Sequence, residues 1–401
     1  MPTTHKMKYD FDEVIDRRNT YSLKYDFAAE RGKPEGLIPL WVADMDFRTP
    51  PCVTDALIKS AEHAIFGYSE AKKTDDYFVS LRNWFAERFD FPINPEWVVK
   101  TPGVVFAVCA AINALTEPGE RVMIQTPVYH PFKESIEANR RQLVTNSLAY
   151  ANGKYQIDFC DFESKIIDNA VKMFILCSPH NPVGRVWSKD ELTRMGEICQ
   201  NHGVIVLSDE IHCDFVYAPH KHTVFGTISE AFLTNSMICT SPSKTFNLAG
   251  LQTANIIISN AGFRSRFKSA IHKTGYGLVN TMGLASCQAA YANGGDWLDE
   301  LLVYLAGNYA YVREFVESRL PQIRIAELEG TYLMWLDMNA YGFSETELDR
   351  LIVEKAKLWI DNGGTFGDEG KGFIRINIAC PRSTLGKAFH QLAAALESFP
   401  R

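Results

Sequence analysis

From about residue 100 the chain alternates between short apolar runs and longer stretches with helical spacing. GVVFAVCAAINAL (103–115) predicts a helix that opens on a glycine, and the short run RVMIQ behind it predicts a strand. PFKESIEANR is helical in pattern. KMFILC (172–177), the amphipathic SKDELTRMGEICQNHG, VIVLSDE (204–210), SMICTSPSK (236–244) and QTANIIIS (252–259) continue the alternation. Runs rich in β-branched residues, each too short for a helix and separated by helical segments, predict a mostly parallel sheet covered on both faces. Crossovers in such a sheet are right-handed, so the C-terminal ends of its strands share one rim, where ligands bind.

The last part of the chain reads differently. DWLDELLVYLAGNYAYVREFVESRL predicts a long helix, RIAELEGTYLMWLDM a hairpin, SETELDRLIVEKA a helix, GFIRINIAC a strand, and a helix closes the chain. The expected architecture is therefore α/β, with a large sheet domain over about 51–290 and a smaller α+β domain over 291–401. Residues 1–50 are expected to pack with the small domain or bridge the two.

Composition narrows the function classes. The 401 residues are 46% hydrophobic with a net charge of −7, enough for a large core and without the basic surface that nucleic acid or an anionic membrane would need. Nine scattered cysteines include no C-x-x-C pair and no zinc spacing, so no metal site is expected. MPTTHKMKYDFDEV has no apolar signal core, and no run is long enough to span a bilayer. The plain expectation is a reduced, cytoplasmic protein acting on a small molecule.

Polar residues gather just past the apolar runs. Tyr129 follows RVMIQ, and Asn181, Pro182 and Gly184 follow KMFILC. Asp209, Glu210 and His212 end VIVLS, while Ser241, Ser243 and Lys244 end SMICT. Taken singly, a lysine after a strand is usually solvated, an aspartate there usually caps a helix, and Asn-Pro usually makes a turn. Together they match what pyridoxal 5′-phosphate (PLP) requires: a lysine for its Schiff base, an acid beside the pyridinium nitrogen, and a phosphate cradle.

The ordered set of Tyr68, the Gly103 loop, Tyr129, NPVG at 181–184, Asp209, SPSK ending at Lys244 and Arg375 resembles the fold-type I PLP enzymes of the aminotransferase class I/II superfamily. The resemblance covers nearly the whole chain. PLWVADMDF (39–47), FGYSE (66–70), SDEIHCDF (208–215) and SKTFNLAGLQTANIII (243–258) look most like its MalY/PatB branch, the cystathionine or carbon–sulfur β-lyases.

The resemblance implies an aspartate-aminotransferase-like fold with a seven-stranded sheet, and a role for each residue. Lys244 would carry PLP, and Asp209 would pair with its ring nitrogen. Asn181 would donate to the ring oxygen, and Tyr129 would stack on the ring or else be a packed core tyrosine. Gly103, with the N–H groups of Val104 and Val105, would cradle the phosphate beside the hydroxyls of Ser241 and Ser243. Tyr68 would reach the phosphate of the neighbouring subunit in a homodimer, close to the substrate. Arg375 would bind the substrate carboxylate or form a strand-end salt bridge.

His212 stands where many superfamily members have a tyrosine, and Gln252 where many have an arginine. Both departures favour the lyase branch. His212 is either a cofactor contact or a packed histidine, and Trp41, Val42 and Asp44 either line the pocket or form core and turn. Gly250 is expected to let the following segment pass close by. The implied activity is α,β-elimination of L-cystathionine or a related sulfur amino acid to pyruvate, ammonia and a thiol. An aminotransferase and a regulatory binding protein retaining the fold are the rival readings.

Overall fold

In the computed structural model, which describes residues 7–398, the apolar runs line up as one seven-stranded sheet between helices. The strands are, in chain order, β1 (Ile38–Pro39), β2 (Val98–Thr101), β3 (Arg121–Thr126), β4 (Gln142–Ser147), β5 (Ala149–Ala151), β6 (Lys154–Gln156), β7 (Met173–Cys177) and β8 (Ile205–Asp209). They continue with β9 (Ser236–Thr240), β10 (Ala254–Ile257), β11 (Arg324–Ile325), β12 (Leu333–Asp337), β13 (Leu358–Trp359), β14 (Asp361–Asn362) and β15 (Phe373–Asn377). The large sheet runs β2-β10-β9-β8-β7-β3-β4. Only β10 runs against its neighbours.

The interior strands are continuous apolar runs because both faces are covered. In β7, Met173, Ile175 and Cys177 join the core beneath the Val104–Leu115 helix, while Phe174 and Leu176 join the core on the other side. This is the two-residue alternation of a strand with no solvent face. The Lys189–Asn201 helix that covers the sheet starts on a capping box, with Ser188 and Glu191 each satisfying the other's backbone N–H. The hydrophobic pattern passes over two strands of the sheet. These are β2 at one edge and β4 at the other, whose QLVTNS sequence is half polar and only partly buried.

The smaller domain contains the antiparallel sheet β11-β12-β15-β14, the long helix Gly295–Arg319 and the closing helix Arg382–Ser398. The expected hairpin forms, with Arg324 opposite Asp337. The expected helix over 344–356 is α-helical only through Glu345–Arg350 and continues as a π turn, Leu351–Lys355. The N-terminal segment makes contacts in both directions. Strand β1 pairs with β13, and the Asp46 N–H donates to Ala379 O at 2.9 Å, both toward the small domain. Met45 N–H donates to Asn247 Oδ1 at 3.0 Å, toward the large one. Among the described residues, no helix is long and apolar enough to cross a membrane.

Candidate active site

Strand register brings the polar residues together. Cys177, Asp209 and Cys239 are level across β7, β8 and β9, so the loops that follow share one rim. After β7 the chain turns through Asn181 and Gly184. Gly184 has φ +75°, and a Cβ there would stand 3.0 Å from Leu328 Cδ1, so the turn requires glycine. The Asn181 carbonyl accepts from Tyr129 N–H at 3.0 Å, which fixes Tyr129 beside this loop.

Asp209 is buried at the end of β8. Its Oδ1 accepts from Ile211 N–H at 3.1 Å, and no hydrogen bond reaches its other oxygen among the described residues. Burial drives its pKa up to about 7, with the Glu210 charge acting the same way and the Ile211 N–H and Lys244 opposing. Past β9, Ser241 caps the four-residue helix Pro242–Thr245 that carries Lys244. The Ser241 hydroxyl donates to Thr253 O at 2.7 Å, accepts from Ser243 N–H at 3.1 Å and lies 2.8 Å from Ser243 Oγ, so both serine hydroxyls are hydrogen-bonded within the loop. Lys244 Nζ donates to Ala43 O at 2.7 Å, and Tyr332 Oη donates to the same carbonyl at 2.9 Å. Burial pulls the lysine pKa down to about 8. Asp44 opposes this, Arg375 adds to it and Asp209 opposes.

Arg375 enters from β15. Its Nη1 donates to Asn181 Oδ1 at 2.9 Å and its Nη2 to Trp41 O at 2.8 Å, and it pairs with Asp361 on β14. The guanidinium lies 4.7 Å from the Phe366 ring centroid, and its buried Nε has no partner among the described residues. His212 is buried against Tyr332, its Nδ1 unpartnered, and burial with Lys244 and Arg375 holds it neutral. Tyr129 is pushed up to about 12, by burial first and then by the Asp209 charge, so it stays a neutral phenol.

Gly103 precedes the Val104–Leu115 helix with nothing within 4 Å of the position a Cβ would take, which leaves the helix start open to a ligand. Tyr68 is fully exposed and joins none of these residues within the chain. Gln252 is exposed and closes the Ala249–Leu251 turn at φ +48°. One expectation fails. Gly250 meets nothing within 4 Å, so no segment passes close to it, and the turn there is simply open to solvent.

Asp361, Tyr332 and the carbonyls of residues 41–45 escape the sequence reading. Asp361 reaches the site through the pairing of β14 with β15, which sets it opposite Arg375, and a backbone carbonyl has no residue signature. The arrangement as a whole can hold PLP. A buried acid with a free oxygen, an amide with no acceptor for its Nδ2 among the described residues, a lysine with a lowered pKa and an open helix start are the groups its ring, ring oxygen, aldehyde and phosphate require.

Residues 35–392 match the family model of the class I and II aminotransferases. The chain belongs to that family. It is 42% identical to the cystathionine β-lyase PatB of Bacillus subtilis (strain 168), over 96% of this chain and all of that protein. Among solved structures, a PLP-bound putative aminotransferase from Clostridium difficile 630 superposes with a TM-score of 0.94 at 40% identity, covering 97% of this chain and 100% of that one. Cystalysin from Treponema denticola, which contains PLP, gives a TM-score of 0.94 at 37% identity, covering 98% and 99%. The fold of this family member, the large mostly parallel sheet with a smaller domain, is thus that of PLP-bound enzymes.

Proposed function

We propose that the protein is a PLP-dependent carbon–sulfur β-lyase that eliminates the thiol from L-cystathionine or a related cysteine S-conjugate. The observation that carries this reading is the end-to-end likeness to PatB, joined to a site whose charged groups suit removal of a Cα proton. Bound PLP would supply an electrophilic carbon for the amino group and a ring that takes up the electron pair left at Cα.

Each residue has a place in that chemistry. Lys244 would anchor the cofactor and, when free of it, would take the Cα proton, because burial lowers its amine's pKa to about 8 and it gives up its own proton more readily than an ordinary lysine. The resulting ammonium delivers a proton to the departing sulfur. One C–H and one C–S bond break, one C=C bond forms, and hydrolysis then gives pyruvate and ammonia. Asp209 would hold the proton on the ring nitrogen, Asn181 would donate to the ring oxygen, and Tyr129 would cover a ring face. The N–H groups of Val104 and Val105 after Gly103, with the hydroxyls of Ser241 and Ser243, would hold the phosphate. Arg375 binds the substrate carboxylate, and His212 is a neutral wall of the pocket. The full exposure of Tyr68, beside exposed Ile65 and Phe66, supports a homodimer in which Tyr68 completes the partner's site. We place the protein in the cytoplasm and divide it near residues 50 and 290.

The test is incubation with L-cystathionine and no keto acid. Pyruvate and free thiol should appear together. Product only on addition of 2-oxoglutarate or pyruvate would sink the lyase reading and establish an aminotransferase. Lys244→Ala should lose both turnover and the visible absorbance of covalently held cofactor.

A further inference from the structure

Residues 41–46 form an irregular, bent strap whose backbone touches both charged ends of the site. Trp41 O accepts from Arg375 at 2.8 Å, and Ala43 O accepts from Lys244 at 2.7 Å. Val42 O and Asp44 O both accept from Asn377 Nδ2 at 2.6 Å, two residues along β15 from Arg375. Met45 O accepts from Asn247 Nδ2 at 2.9 Å, three residues after Lys244. The strap thus registers the lysine of the large domain against the arginine of the small one.

Two acids hold the strap from its other side. Asp44 and Asp46 are brought to the same two cations, Arg17 and Lys24. Arg17 bridges them at 2.7 Å and 2.8 Å, and its Nη1 also donates to Met45 O at 3.1 Å. Lys24, with 0% of its side chain exposed, lies 2.9 Å from Asp46 and 3.6 Å from Asp44. Tyr25 Oη adds a bond to Asp46 at 3.1 Å. Two acids and two bases make a neutral set, and an unpaired charge in this interior would be costly. Asp44 also acts electrostatically on Lys244, which faces Asp209 from β8 and Arg375 from β15 as well, with neutral His212 beside them.

We propose that Arg17 and Lys24 are positioning residues for the reaction. Through Asp44 and Asp46 they fix the strap that registers Lys244 against Arg375, and they cancel acid charge that would otherwise reach both. The proposal rests on reading Lys244 as the cofactor lysine and Arg375 as the carboxylate site, not on the identity of the thiol.

The experiment uses the PLP-loaded enzyme with R17M, K24M and the charge-retaining R17K and K24R. Three quantities are measured: the pH midpoint of the cofactor's visible absorbance, KM and kcat for L-cystathionine, and the melting temperature. Loss of one cation leaves net negative charge near Lys244, so the protonated form of its cofactor link is favoured. The midpoint should rise by about half to one unit in R17M and K24M. KM should rise about tenfold as Arg375 loses its register, with a smaller change in kcat. The charge-retaining pair should recover most of both.

Wild-type midpoint and wild-type KM in the neutral variants would overturn the proposal, whether or not their melting temperature falls. If K24M does not fold, R17M decides on the same readouts, since 22% of the Arg17 side chain is exposed. A wild-type enzyme that releases no thiol would refute the lyase reading while leaving the absorbance test of the strap intact.

Discussion

Asp209 shows how a single residue prepares the site for its cofactor. Its pKa stands at about 7 in the chain because burial penalises its charge. The sign follows from linkage. The folded-state value exceeds the ordinary carboxylate value of roughly 3.9, so Asp209's contribution to stability is full below about pH 4 and is lost as pH rises through 7. Cofactor-free Asp209→Asn should therefore be more stable than the cofactor-free wild type at pH 8, by up to about 4 kcal/mol in unfolding free energy for a shift of about three pKa units, the pull of Lys244 being already contained in that value. Calorimetry at pH 8 and pH 4 should show this gap closing at the lower pH. With PLP bound the order should reverse, because an amide cannot pair with a protonated ring nitrogen. Arg375 carries a second residue-scale prediction. A lysine there keeps the charge but loses the fork that spans Asn181 and Trp41. Steady-state kinetics of Arg375→Lys should show KM raised about 100-fold with kcat less affected.

At the scale of elements, the loop between β14 and β15 controls the carboxylate site. A Cβ on Gly363 would stand 2.0 Å from Gly370 O, so the two limbs of this loop pack backbone to backbone. Phe366, carried between them, is the face on which Arg375 rests. Gly363→Ala should cost roughly 1–3 kcal/mol in urea unfolding and raise KM as Phe366 shifts. An unchanged KM would separate this loop from substrate binding. The same scale explains what the sequence makes legible. Strands β7, β8 and β9 are buried on both faces and read as unbroken apolar runs, so the residues at their ends, Asn181, Asp209 and Lys244, fall into view. Strands β2 and β4 lie at the edges and carry polar residues, and the pattern misses them. Asp361 is hidden for another reason: it meets Arg375 through pairing of β14 with β15, a contact with no local signal. The strap works through carbonyls, which every residue has.

At the scale of the whole molecule, Tyr68 is a site candidate that the chain leaves wholly in solvent. If it serves the partner's site, Tyr68→Ala and Lys244→Ala should each be inactive or nearly so. Mixing the two after dissociation and reassociation should restore partial activity, because a mixed dimer has one intact site. No recovery from two inactive variants would show that Tyr68 does not serve the partner's site, and a fully active Tyr68→Ala would place it outside the chemistry.

The strap also sets a schedule for biosynthesis. Residues 38–46 leave the ribosome early, yet their partners β13, Asn377 and Ala379 are made more than three hundred residues later. At roughly 5–20 residues per second, the segment waits on the order of half a minute with Asp44 and Asp46 already synthesised and nothing to register. The large sheet can form during that interval. Lys244 and Arg375 meet only when synthesis is nearly complete, so a prematurely terminated chain would be left without the centre proposed for them.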